Sequence, residues 1–449
     1  MALHYGAMRL THVLQLALPE GASTGRLSTC TIPLKPDPRR PVPISFDQRR
    51  HLEAGDRAGS WMALSFRLPG PVEREAIGRA WAAVVARHGT LRTVVSEDAD
   101  GLTLHEATPG DPEWQEHAIT DDPRVVLRGV LDAACRPFGA PSHRVALLET
   151  GDEPPVVVIA SDHSHLDMWS LLVLARDLLD ALGGDALGDG GPLAEAPAFA
   201  EHTRLLEAAP PAPADVTAQW ERIMAYGGGL MPVFPLPLGD LSSPRDEIVV
   251  VRDVLDADGY ARLGAHADAA GVRVAALAVS LLTEVTRRVA GAPLRAVFPV
   301  HSRFEPRWHE GVGWFITNAV IDCDADDPAS GAAAVKRALA LGSHPLAPIL
   351  APWGGMPATP GMFAVSWLDA RRIPIEVPGA TEVQWVSAAT QTDGVMIWFL
   401  AGDDGLHLRI RFPDTPEARV HVGRWLDAVA AALQEAARIG PRRVVTPVA

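Results

Sequence analysis

Hydrophobic and polar positions along the chain change period several times, and each change marks an element. Val156-Val157-Val158-Ile159-Ala160 is an unbroken apolar run that reads as a buried strand, and an apolar-periodic helix follows at 171–182. Between them stands a polar stretch, Ser161-Asp162-His163-Ser164-His165-Leu166-Asp167-Met168-Trp169-Ser170. Residues 61–68 alternate as a strand, and Pro69-Gly70 turns the chain into a helix on which Ile77, Trp81, Val84 and Val85 share a face. The short apolar piece 13–18 reads as a further strand. Prolines at 36, 38, 41 and 43 hold an extended segment that leads to a helix or tight turn from Ser45.

A second break spans 183–214, where Gly-Gly, Gly-Asp-Gly-Gly-Pro and Pro-Pro-Ala-Pro-Ala surround a short helical piece at 199–207. Beyond it the spacing predicts a strand near 247–254, helices at 256–270 and 274–290, and a strand at 294–300. Further strands are expected at 314–321, 361–366, 395–400 and 406–412, and the final stretch 417–439 has the stripe of a docking helix. A chain of 449 residues exceeds one ordinary core. The expected division is an N-terminal extension at 1–40, a first lobe at 41–183, a linker at 184–214 and a second lobe at 215–449.

Composition narrows the function. With 47% hydrophobic and 21% charged residues the chain is globular, and a formal charge of −15 argues against a nucleic-acid partner. Cys30, Cys135 and Cys323 are too few and too far apart for a disulfide framework or a cysteine zinc site, which fits a reducing, cytoplasmic setting. No run of about 18 apolar residues predicts a membrane span, and the first residues lack the pattern of a secretory leader. Candidate chemistry concentrates in Asp162, His163, His165 and Asp167, titratable groups at a strand end that need partners if they are buried.

Asp162-His163-Ser164-His165-Leu166-Asp167-Met168 resembles the His-His-x-x-x-Asp-Gly signature of the condensation-domain superfamily, with His163 in the place of the second histidine. Pro43-Ile44-Ser45-Phe46-Asp47-Gln48 is similar to that family's opening motif, and Arg87-His88-Gly89-Thr90-Leu91-Arg92-Thr93 to its Arg-His-x-x-Leu-Arg-Thr motif. Downstream, Phe298-Pro299-Val300-His301-Ser302-Arg303 and Gly313-Trp314-Phe315-Ile316-Thr317-Asn318 resemble two later segments in the family order. The segments Ser366-Trp367-Leu368-Asp369 and Thr390-Gln391-Thr392-Asp393 look most like the polyketide-associated acyltransferases of actinobacteria.

The resemblance implies an α/β architecture of two chloramphenicol acetyltransferase-like lobes in a V with a tunnel between them. It implies an acyltransferase that moves an acyl group from acyl-CoA or a phosphopantetheinyl carrier protein to a hydroxyl or amine, in lipid or natural-product biosynthesis. No bound cofactor or metal is implied; the partners are an acyl or peptidyl carrier protein and a small-molecule acceptor, and a monomer is expected. His163 takes the role of general base, and Asp167 pairs with Arg303 across the lobe junction to hold the histidine loop. Asn318, Met168 and Gly313 line the tunnel.

Two positions depart from the family pattern. Asp162 replaces the first histidine and is expected to support the loop while its charge raises the pKa of His163. Met168 replaces the glycine. The alternative these departures favour is an inactive module that docks a carrier protein or synthase partner. A zinc reading of His163-x-His165-x-Asp167, by likeness to metallo-β-lactamase-fold hydrolases, stops at Met168, where that motif has histidine.

Overall fold

The computed structural model describes residues 8–439 except 100, 152 and 188–192, so part of the expected linker lies outside the described residues. The chain forms two compact units. The first comprises Met1–Ala209, His301–Ile316 and Arg372–Thr390, and the second Pro210–Val300, Thr317–Arg371 and Gln391–Ala449. A division at one linker is therefore too simple, because two later segments return to the first unit.

The first unit is built on a seven-stranded sheet in the order Arg9–His12, Thr381–Ser387, Trp61–Arg67, Val156–Asp162, His143–Glu149, Arg26–Thr31, Glu113–His117. Val156–Asp162 sits in the middle, antiparallel to neighbours on both sides, with Ile159 opposite Leu64 and Val145. All its residues are buried, which is why it reads as a continuous apolar run and not as an alternation. The expected extension at 1–40 is corrected here: Leu27 and Cys30 are core residues, and two of the sheet's strands come from this stretch. The strand expected at 13–18 ends instead at His12, whose Nδ1 accepts the Leu14 amide at 3.2 Å and turns Val13–Gln15 into one 3-10 turn. The proline-rich segment becomes the strand Leu34–Val42 at the edge of a three-stranded sheet, its register shifting between Pro36 and Pro41, as suits residues with no N–H to give.

The second unit carries another seven-stranded sheet, ordered Ile316–Cys323, Leu294–His301, Phe363–Asp369, Val395–Gly402, Gly405–Pro413, Arg245–Asp256, Gln391–Thr392. The helices Ala257–Ala269 and Pro416–Ile439 pack with it, and Val274–Ala290 packs against both of them. Trp425 of the last helix is fully buried, edge-on to Phe234 and Phe363, and gives its indole N–H to Thr286 Oγ1 at 3.1 Å. Among the described residues, no single helix is long and apolar enough to cross a membrane.

Candidate active site

The turn after Val156–Asp162 is closed by its own first residue. Asp162 is fully buried, and its Oδ1 accepts the Ser164 amide at 2.9 Å and the Ser164 hydroxyl at 2.5 Å, which winds His163–His165 into a 3-10 turn. Its Oδ2 accepts Ser60 Oγ at 2.5 Å, and His51 Nε2 stands 3.0 Å from Oδ1. Burial alone would raise this carboxyl's pKa, but the hydrogen bonds from His51, Ser164 and Ser60 outweigh it and hold the pKa well below the usual range. Asp162 supports the turn in place of the family's first histidine, and His51 supplies an imidazole from another element.

His51 reaches the turn from the helix Phe46–Leu52, which opens with a capping box between Ser45 and Gln48. Gln48, three residues before His51, donates from Nε2 to Ser164 O at 2.7 Å. Arg57 can only donate, and its Nη2 lies 3.0 Å from His51 Nδ1, so Nδ1 accepts and Nε2 carries the proton given to Asp162. Neither His51 nor Arg57 was singled out from the sequence. The signal available was the helix face shared by Gln48 and His51, polar groups at i and i+3 beside an apolar core.

His163 is half-buried. Its Nδ1 stands 2.8 Å from Leu166 O, and a carbonyl only accepts, so Nδ1 bears the proton and Nε2 keeps its lone pair. Its ring stacks on Trp314 with centroids 3.9 Å apart and planes 19° apart. Burial is the largest influence on its pKa and lowers it, and the upward pull of Asp162 and Asp167 is smaller. Asp162 does pull the pKa of His163 upward, as expected from the sequence, and burial outweighs it. His165 is buried and donates from Nδ1 to Thr90 O at 3.1 Å.

Asp167 closes the other end of the turn. Arg303 Nη2 lies 3.0 Å from its Oδ1, and Arg303 Nη1 donates to Trp308 O at 2.7 Å and Gly311 O at 2.6 Å. Both side chains are buried, and the pair lies within the first unit because residues 301–316 belong to it, not across a lobe junction. Asp167 also accepts the amides of Ser170 at 2.7 Å and Phe315 at 3.1 Å. A second tie comes from Asp177, which Arg87, His88 and Arg176 reach at 2.6, 2.6 and 2.7 Å, while both arginines also hold Glu310.

Gly313 is corrected too. It is buried, and a Cβ there would stand 2.3 Å from the Phe199 ring, so glycine is required by close packing and Gly313 does not line open space. The strand expected from 314 starts only at Ile316, since the amides of 313 and 315 go to Ser170 and Asp167 and not to a ladder. Met168 is half-buried and its carbonyl accepts the Trp385 indole N–H at 3.0 Å. Asn318 lies half-buried on Ile316–Cys323, in the second unit. A cavity of about 960 Å³ in the second unit, among Arg222, Tyr226, Arg295, Arg337 and Phe363, contains none of these residues and no histidine, so its size does not make it the reaction site.

No protein-family model matches the chain. Acyltransferase PapA3 of Mycobacterium tuberculosis is 23% identical over 90% of this chain and 91% of its own length. Phosphinothricin tripeptide synthetase PhsC of Streptomyces viridochromogenes is 34% identical over 37% of this chain, a match that spans only 16% of that synthetase. Among solved structures, PapA2 acyl transferase superposes with a TM-score of 0.82 at 20% identity, covering 96% of this chain and 99% of that one. The first condensation domain of the calcium-dependent antibiotic synthetase gives 0.72 at 16% identity, covering 90% and 98%.

A central buried strand that delivers His163 and Asp167 to one turn, on this mixed α/β topology, defines a chloramphenicol acetyltransferase-like fold of the condensation type. In sequence and fold the chain is similar to condensation domains and to PapA acyltransferases, which supports an enzyme of the acyltransferase or condensation kind.

Proposed function

We propose that this chain transfers an acyl group from a thioester, carried by coenzyme A or by a phosphopantetheinyl carrier protein, to a hydroxyl or amine of a lipid or natural-product intermediate. The observation that carries the reading is the state of His163: Nδ1 is held by the Leu166 carbonyl, and Nε2 is left with a lone pair on a ring that burial keeps neutral. A thioester needs no further activation, so a base for the acceptor proton is the main requirement. In the proposed step Nε2 takes the proton as the acceptor oxygen or nitrogen bonds to the thioester carbonyl carbon. The tetrahedral intermediate then collapses, the C–S bond breaks, and the imidazolium returns its proton to the departing sulfur, leaving ester or amide and free thiol.

In the same reading Asp167, Arg303 and Asp162 support the turn without touching substrate. PapA3 and PapA2 are named as acyltransferases, which favours transfer over docking alone. The test is thiol release from acyl-CoA and acyl-carrier donors of several chain lengths, with and without pooled alcohol and amine acceptors. Acceptor-dependent release, with a matching ester or amide by mass spectrometry, supports the proposal. A folded protein that binds a carrier yet releases no thiol from any donor would leave the docking module as the better account.

A further inference from the structure

We propose that Trp314 is a positioning residue for His163, a plate that fixes the plane of the imidazole and closes one of its faces. This deepens the acyl-transfer reading and rests on it for its catalytic consequence. The bond from Nδ1 to Leu166 O pins one atom of the ring but leaves the ring free to tilt about that contact. A second constraint is needed, and the stacked indole, 3.9 Å away and 19° from parallel, provides it.

The plate is itself held on both sides. Gly313 gives its amide to Ser170 Oγ at 3.1 Å, and Phe315 gives its amide to Asp167 Oδ2 at 3.1 Å. Phe315 O in turn accepts the Ser302 amide at 2.7 Å, and the Phe315 ring is fully buried with the Arg303 guanidinium 3.8 Å from its centroid. Trp314 is half-buried between two fixed neighbours, with the His51 ring edge-on at 5.3 Å. Asp167 and Arg303 therefore act on the base through residue 314 as well as through their own turn. With one face covered and Nδ1 engaged, the acceptor's approach is confined to the Nε2 edge and the opposite face. The indole face is electron-rich, so it also favours the imidazolium that forms once Nε2 takes the proton.

The test has an arm that does not need turnover. In protein carrying ¹³C,¹⁵N-histidine, with the His163 signals assigned by their loss in His163→Gln, the ring protons of His163 should show an upfield ring-current shift and the ¹⁵N pattern of an Nδ1–H tautomer. Trp314→Ala should abolish that shift and broaden the His163 ring signals as the ring tilts about its bond to Leu166 O, while Trp314→Phe keeps the shift and the narrow signals in large part; thermal melts confirm that each variant is folded. In the second arm, Trp314→Ala should lower kcat by about 10- to 100-fold with little change in KM, and Trp314→Phe should recover most of it. His163 ring signals as narrow in Trp314→Ala as in wild type overturn the proposal whatever the activity, and so does an unchanged kcat in an enzyme that turns over. Broadened His163 ring signals in Trp314→Ala beside a wild type inactive on every donor support the positioning role and count against acyl transfer instead.

Discussion

Asp162 and Asp167 bound one turn, five positions apart, and both are almost wholly out of water, yet they are neutralised in different ways. Asp167 faces Arg303, a cation that stays charged across the physiological range even with burial lowering its pKa. Asp162 faces the His51 ring and two serine hydroxyls. Asp162 closes its turn locally and ties it to residues 51–60, whereas Asp167 anchors a segment that returns from 136 positions away. A buried carboxylate next to a permanent cation is a fixed joint that is costly to break, whereas one held by hydroxyls and an imidazole N–H is a joint of hydrogen bonds, each worth less.

The largest effect should come from breaking the fixed joint. Asp167→Ala or Arg303→Ala leaves an uncompensated buried charge and should cost about 3–5 kcal/mol in urea unfolding. Asp162→Ala removes an acceptor and leaves donors of Ser60, Ser164 and His51 to find others, at about 1–3 kcal/mol. Equal costs for the two would erase the distinction. Ser170→Ala, which frees the Gly313 amide but keeps the ion pair, should cost about 1 kcal/mol.

The pH dependence sharpens the same contrast. The folded pKa of Asp162 lies below its unfolded value of about 3.9, so its contribution is complete above that value and is lost as pH falls through the folded pKa. The stability gap between wild type and Asp162→Asn should therefore be flat from neutral pH down to about 5 and shrink only in stronger acid. Buried histidines act at higher pH. His143 is lowered to about 3 and His202 to about 4, both by burial first, and the unfolded chain takes up their protons near about 6.5. Their stabilisation is full above that value and fades as pH falls toward the folded pKa values, so the melting temperature should decline steadily from pH 6.5 to 4, with proton uptake on unfolding.

The turn was legible because its chemistry is local: an apolar run sets the strand, and His163 and Asp167 follow at fixed spacing. Arg303 was reached through motif order, and the structure has it 3.0 Å from Asp167. The helices Phe199–Glu207 and Val274–Ala290 stand where periodicity puts them. Long-range return is what periodicity does not encode. Thr381–Ser387 inserts between Arg9–His12 and Trp61–Arg67, and residues 301–316 join the first unit, so the expected lobe boundaries missed both. His51 and Trp314 were missed for the same reason, since their meaning depends on what faces them and not on their neighbours in sequence. Gly313 was misjudged because a glycine beside a site can serve packing as readily as access, and here the Phe199 ring decides it.

The central claim is that His163 takes the acceptor's proton at Nε2, and it is tested most directly by the acceptor-dependent transfer rate of His163→Gln against wild type across pH, with both proteins shown to be folded. The account predicts a fall of about 10²- to 10⁴-fold in the variant, and a wild-type rate that is flat above neutrality and drops in acid with a midpoint below the ordinary histidine value of about 6.5. A variant that keeps the wild-type rate, or a wild-type rate with no acid limb, would contradict it.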